Sequence, residues 1–412
     1  MFVSVRGRLL INVEALNMTE SVGNYVKHRR VPVILPKTYA TYFVPAISGE
    51  SIAHGFQNLL ASQAIRNGIK VCKLCERGIF LKSTNEEVFK DAFNTNVVPK
   101  DNFTFEKFVI NNCLVEDVGG FLYAPRAGGN VKRTSNFYTG YMIPVNEALE
   151  NTVIEPQLHS RYALGTKFVR RGAVGQMIYY VEISSAVYTF SFDIDTNYIG
   201  KTTFVQEKAG TLVVNDREKR VKVTLEALKE FLSEILFGAN KTRFLPVMDW
   251  ESLVIAVADN TWTIPSPASA NYINNSLIKA EKTGKELTLY IYINPEILAG
   301  TGQYIKKKTE ELIDTMKKVI EEWKKNIQEK MPEYSSKIDW DSIVKEKLES
   351  LISKRLEEIT QSTDMRYIST VEEKYSKVSK IIKEKGMENV KLYDNLISCI
   401  SDAINDAENR IS

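Results

Sequence analysis

Apolar residues recur at two different periods along this chain, and the change falls near residue 303. Beyond it, Ile305, Leu312, Ile313, Met316, Val319, Ile320, Trp323 and Ile327 keep helical spacing until Pro332. Trp340, Ile343, Val344, Leu348, Leu351, Ile352 and Ile359 resume it, and it returns in 367–385 and 387–411. The expectation for 303–412 is an amphipathic helical appendage, packed as a small bundle with its own core, whose alternating Lys and Glu residues are solvated faces. A chain stopped near Lys330 is then expected to stay folded.

Residues 1–302 mix strand and helix patterns. Val3, Val5, Leu9, Ile11 and Val13 fall on one strand face, with Ser4, Arg6, Arg8 and Asn12 on the other, as in a half-buried strand. A basic loop at 23–30 follows. Ser48 is a candidate N-cap for a helix over 48–66, with Ile52, Phe56, Leu59, Leu60 and Ala64 at helical spacing. Strands are expected at 107–118, 136–145, 176–194 (two strands or one bent one), 252–258 and 287–293, and a helix near 216–237. This order suits an α+β fold of the ferredoxin-like kind, with helices on one face of the sheet and inserted segments at approximately 68–107 and 124–175.

A chain of 412 residues has room for a substantial core, and 44% hydrophobic with 25% charged residues is a globular composition. Lys and Arg number 33 against 29 Asp and Glu in 1–302, and 21 against 22 in 303–412, so the slight basic excess is N-terminal. The start, "MFVSVRGRLLINVEAL", lacks the apolar run of a signal peptide, and no window is long and apolar enough for a transmembrane helix, so the expectation is a cytoplasmic protein without a membrane partner. Four cysteines cannot frame a chain this long. Cys72 and Cys75 form a C-x-x-C, but with no second pair nearby they read as structural or incidental, and neither a metal nor another cofactor is expected.

The run Lys27, His28, Arg29, Arg30 follows Gly23 and Asn24, which let the backbone approach a ligand. Close behind lies the helix start at Ser48, Gly49 and Ser51, whose N–H groups suit a phosphate, with His54 one turn on. Further basic clusters are Arg126, Lys132 and Arg133 around Gly128–Gly129, His159 and Arg161 in "HSRY", "FVRRG" at 168–172, and Lys241 and Arg243 in "ANKTRFLP". Together they favour a groove that binds RNA or another single strand through its backbone, without regard to base. No phosphate-binding glycine loop, nucleophile elbow or H-E-x-x-H motif is present, so no catalytic residue is expected.

The stretches "RGRLLINVEALNMTESVGNYVKHRRVPVIL", "YFVPAISGESIAHGFQ", "EDVGGFLYA", "VKRTSNFYTGYMIP", "VEISSAVYTFSFDID" and "NKTRFLP" occur in an order and spacing that resembles the DevR-like backbone subunit of archaeal type I-A CRISPR Cascade complexes. The resemblance covers roughly 1–325, and about 331–412 lies outside it. It implies a modified RRM-like palm, with inserted finger-like and thumb-like segments, that polymerises as a helical filament along a CRISPR guide RNA (crRNA). The implied partners are the crRNA, a target DNA strand paired through it, further copies of the chain and other Cascade subunits, in antiviral defence. On this chain, Gly23–Arg30 with Ser48, Gly49 and Ser51 look like guide-contacting elements, and Lys132 and Arg133 look like part of a projection. Related backbone subunits of type III complexes cut RNA with an aspartate in the loop after the first strand. Here that loop has Glu20 but no Asp, which favours a binding subunit over the alternative, a metal-dependent endoribonuclease using Glu14 or Glu20.

Overall fold

The computed structural model describes residues 1–36, 38–125, 128–162, 176–283, 286–294, 315, 318–330, 332, 339, 378–383 and 386–411. The chain forms two units, Met1–Ile293 together with Gly386–Ser412, and Asn294–Lys385. In the second, residues 318–330 are helical; the expected helices over 340–359 and 367–377 lie outside the described residues.

The first unit is mixed α+β. Its strands are β1 (Phe2–Glu14), β2 (Met18–Val22), β3 (Tyr25–His28), β4 (Arg30–Ile34), β5 (Thr41–Pro45), β6 (Phe121–Tyr123) and β7 (Val131–Arg133). They continue as β8 (Phe137–Thr139), β9 (Val153–Tyr162), β10 (Gln176–Asp195), β11 (Val247–Ala258), β12 (Leu287–Ile293) and β13 (Val390–Tyr393). The helices are α1 (Gly49–Arg66), α2 (Lys73–Glu76), α3 (Glu86–Phe93), α4 (Asn102–Asn112), α5 (Leu114–Gly119), α6 (Arg217–Glu234), α7 (Tyr272–Thr283) and α8 (Leu396–Asn409).

The main sheet runs β13-β12-β11-β1-β10-β3-β2, and β8 and β9 pair with β10. β1 lies antiparallel between β10 and β11. Because β10 is 20 residues long, one half pairs with β1 and β8 while the other runs on to pair with β9 and, in parallel, with β3. Val3, Val5, Leu9 and Ile11 join one core cluster with α1, α6 and α8. Phe56 of α1 sits at its centre, edge-on to Phe137 and Phe192 at about 5 Å. Gly55 lets α1 approach the chain after α6: a Cβ there would stand 2.4 Å from the Leu236 carbonyl oxygen.

Three expectations need correction. β1 is not half-buried, since Ser4 and Arg8 are 0% and 1% exposed. The chain between β11 and α7 covers that face: the Ile264 N–H donates to Ser4 Oγ and Arg8 Nε donates to the Pro267 carbonyl. Helices therefore lie on both faces, with Tyr272 of α7 donating to Ser252 Oγ beneath the Arg8 guanidinium. Second, 107–118 is helical. Asp101 caps α4 by accepting from the Thr104 N–H, and Phe105, Val109 and Ile110 turn one face inward, so packing overrides the strand preference of Val109 and Ile110.

Third, the C-terminal residues are not an appendage. β13 pairs in parallel with β12, and Cys399, Ile400, Ala403, Ile404 and Ala407 of α8 belong to the main core. A parallel neighbour needs a long crossover, which residues 294–385 supply. Apolar spacing announces a helix with an inward face but not which core that face meets. A chain ending at residue 330 is accordingly expected to expose the α6 and β12 surfaces and to aggregate. Ile404→Ala in the full chain should lower stability by about 2–5 kcal/mol in a denaturant titration; a change within 0.5 kcal/mol would place α8 outside the core.

Candidate nucleic-acid interface

The segment expected as a basic loop is strand structure. Gly23 takes φ +62° in the turn between β2 and β3, and Asn24 Nδ2 donates to the Ile178 carbonyl, pinning the turn to β10. With the run in β3 and β4, its side chains diverge. Lys27 faces solvent, 3.2 Å from the exposed Glu20. Arg30 donates to Glu182 at 2.7 Å, and Glu182 also accepts from the His28 backbone N–H and the Tyr25 hydroxyl.

His28 points the other way. Its ring is buried, with Nε2 2.6 Å from Glu14 Oε1. Glu14 is itself 0% exposed and also accepts from Tyr188 Oη and the Leu16 N–H. Burial opposes charge on the imidazole, but the hydrogen bond and negative charge of Glu14 outweigh it and raise the His28 pKa. His28 is thus a core residue and not a ligand-facing cation, and Glu14, fully engaged, is not open to a substrate.

Arg29 organises the neighbouring surface. Its Nε donates to Asn17 Oδ1, which also accepts from the Ser48 N–H, tying the basic run to the start of α1. Ser48 caps α1 by accepting from the Ser51 N–H, and the next N–H groups carry the helix's positive end. The Arg29 guanidinium lies 6.0 Å over the Tyr141 ring. Three surface depressions follow one another from this point, the Arg29–Tyr141 contact joining the first to the second. One is lined by Thr19, Lys27, Arg29 and Arg30; the next by Ser48, Gly49, Lys82, Ser135, Tyr138 and Tyr141. The third, sharing Ser135 and Tyr138, reaches Lys132 and Tyr198. Tyr138 and Tyr141, each about half exposed, were not anticipated as site residues, although "FYTGY" shows two tyrosines flanking a glycine.

Other expected cations separate. Lys132 is exposed, whereas Arg133, its neighbour on β7, is 2% exposed. All five Arg133 N–H groups are used: Nε on the Asp117 carbonyl, Nη1 on Glu106 and the Lys201 carbonyl, Nη2 on the Asp117 carboxylate and the Tyr198 carbonyl. It is a structural residue, without a donor left for phosphate. Exposed His54 packs edge-on against Phe80. His159 stacks on Tyr179 and meets Phe244 edge-on, which brings the loop of Lys241 and Arg243 against β9. Arg161 is in β9, its side chain outside the described residues, as are Arg126 and 168–172.

Cations and exposed tyrosines along one band are what proteins use to hold a single nucleic-acid strand by backbone and base faces. Residues 5–277 match the family described as CRISPR-associated negative auto-regulator DevR/Csa2, and the chain belongs to that family. It is 36% identical over 270 residues, covering 64% of this chain and 81% of the relative, to CRISPR-associated protein Cas7/Csa2 1 of Saccharolobus solfataricus. It is 36% identical over 318 residues, 74% and 96% of the two chains, to CRISPR-associated aCascade subunit Cas7/Csa2 2 of that organism. Chains of a CRISPR RNA-guided surveillance complex and of a pre-nicking one overlay 71% of this chain at 10% identity, covering 89% and 92% of their own lengths, with TM-scores of 0.40 and 0.43. The assignment rests on the sequence match.

Two measurements check the buried ions. Because the folded-state pKa of His28 lies above the unfolded value of about 6.5, its pairing with Glu14 contributes fully below that pH and is lost as pH rises through the raised value. Denaturation at stepped pH should show this decline in the native chain and a flatter profile in His28→Gln. Arg133→Ala leaves two buried carboxylates short of their partner and should cost about 3–5 kcal/mol of stability; a folded variant of native stability that loses RNA affinity would restore Arg133 to the interface.

Proposed function

We propose that this chain is a crRNA-binding backbone subunit of a Cascade surveillance complex, polymerising along the guide and presenting it for pairing with target DNA. The observation that carries this reading is the continuous band from Lys27 and Arg29, past Ser48–Gly49 and Tyr141, to Tyr138 and Lys132, on a chain of the DevR/Csa2 family. Positive side chains and a helix start meet phosphates whatever the base, and the tyrosines offer faces on which bases stack.

The sheet fits a modified RRM-like palm. The chain order β1, α1, β8, β10, α6, β11 is a β-α-β-β-α-β unit whose strands lie β11-β1-β10-β8, with α1 and α6 packed on one face. On that palm, α2–α5 with β6 and β7 form one inserted segment, and β9 with the distal half of β10 forms a second. Lys27, Arg29, Gly49 and Lys132 lie along the band as the proposed guide contacts, with Ser51 in the first turn of α1, Gly23 and Asn24 shaping the hairpin, and Lys241 and Arg243 beside β9. The chain acts as a binding subunit, for Glu14 is buried and committed to His28 and Tyr188. Among the described residues, no helix is long and apolar enough to cross a membrane.

Fluorescence anisotropy with crRNAs of unrelated spacer sequence tests the proposal. Lys27→Ala with Arg29→Ala should weaken binding alike for every spacer and flatten the slope of log affinity against log salt by about 0.7 per phosphate contact removed. A loss confined to one sequence, or an unchanged slope, would count against it. So would magnesium-dependent cleavage at regular spacing that Glu20→Gln abolishes.

A further inference from the structure

The cysteines set aside in the sequence meet two residues far away in the chain. Cys72 is the residue before α2 and Cys75 lies within it, while Cys113 forms the corner between α4 and α5 and Glu116 stands in the first turn of α5. The three Sγ atoms and a Glu116 carboxylate oxygen all lie within 4.8 Å of one another, and all four residues are buried. Among the described residues this is the one such cluster of three or more His, Cys, Asp or Glu ligands.

The carboxylate is the telling member. Glu116 is 0% exposed; Oε1 has the Cys72 thiol at 3.6 Å, and Oε2 has no hydrogen-bond partner. Its polar neighbours besides the thiols are Ser83 and Lys82, and a carboxylate so deeply buried with one oxygen short of a partner is where a cation would fit. A cation between the four groups would satisfy it. The chain beside the cluster is also held unusually: Lys82 and Ser83 take φ of +51° and +37°, and Lys82 Nζ donates to the Gly119 carbonyl with its charge near Cys75, Cys113 and Glu116.

We propose that Cys72, Cys75, Cys113 and Glu116 bind one zinc ion in a closed tetrahedral site. Zinc–sulfur bonds of about 2.3 Å place sulfurs about 3.8 Å apart in a tetrahedron, within the 4.8 Å that encloses the four ligand atoms, and three thiolates select a soft divalent metal such as zinc over calcium or magnesium. Each coordinating cysteine releases its thiol proton to solvent, and Glu116 binds as the carboxylate. Four protein ligands leave no open position, so the ion is structural. The resulting net charge of −2 on zinc with its ligands is partly offset by Lys82. The site clasps the C-x-x-C turn of α2 to the α4–α5 corner, with Glu116 one residue before Asp117, and so staples the inserted helices to one another.

The full chain, purified under reducing conditions without chelator, should carry about one zinc ion by plasma mass spectrometry. After removal of zinc, cobalt(II) titrated into the folded chain should give thiolate-to-cobalt charge-transfer bands and the intense visible bands of a tetrahedral centre. Glu116→Gln should keep the charge-transfer bands, shift the visible envelope and weaken zinc at least tenfold in competition with a chromophoric chelator; Cys113→Ser should abolish the tetrahedral spectrum. Since Cys113→Ser could unfold the chain, the native cobalt spectrum is decisive. A zinc-free chain that remains folded and gives only octahedral cobalt would overturn the site, and unchanged zinc affinity in Glu116→Gln would remove Glu116 from it.

Discussion

The structure depends on the buried ion cluster around Asp117. Among the described residues, β6 and β7 of the inserted segment pair only with each other, so no ladder joins that segment to the main sheet. Leu114, Val115 and Val118 of α5 enter the main core, and Asp117 makes the polar part of the join. It accepts from Arg133 of β7, from Arg220 of α6 and from the Gly200 N–H beyond β10. Arg220 reaches back to the Ile110 carbonyl of α4, and Glu106 accepts from Thr203 and Phe204. Two arginines and two acids thus hold α4, α5, β7, α6 and the 198–204 turn in one arrangement.

Such a cluster is a poor source of net stability, because removing four charges from water offsets most of their mutual attraction. Burial pushes the Asp117 pKa upward even against the pull of Arg133 and Arg220. What the cluster supplies is geometry: a planar guanidinium with five donors satisfied at once accepts one orientation. Gly119, Ser135 and Tyr138, which line the central and outer parts of the surface band, are carried by the segments this cluster fixes. The shape of the band is therefore set from inside the protein.

Legibility in the sequence divides along the same line. Where period and local chemistry agree, the elements were readable: Ser48 before α1, the apolar face of α6, the continuous runs of β11 and β12. Where burial is decided by distant segments, they were not. Nothing near Ser4 or Arg8 announces that residues 264–268 cover them, and the spacing of α8 is equally good for an appendage and for the main core. The site failed in the same way. His28 and Arg133 looked like surface cations because their partners Glu14, Glu106 and Asp117 are identifiable only after folding. Tyr138 and Tyr141 were overlooked because aromatic residues by themselves are more often core, and Cys113 and Glu116 because their distance in sequence from Cys72 hides a common corner.

The basic run illustrates how a cluster of charge becomes graded in availability. All four residues have acidic or polar partners, but the partners differ in what a phosphate must displace. Glu20 and Lys27 are both exposed, and such a pair holds by only about 0–1 kcal/mol, so a phosphate takes over Lys27 at little cost. Glu182 is 3% exposed and anchors Arg30, Tyr25 and the His28 N–H together; releasing Arg30 would leave a buried carboxylate short of its charge partner. Arg29 is held by a neutral asparagine and a tyrosine face, which orient the guanidinium without neutralising it. The acids beside this run therefore do not cancel its use as a nucleic-acid contact. They sort it: in the proposed interface Lys27 and Arg29 are the cations left for the backbone of a strand, while His28 and Arg30 hold the hairpin that would present them.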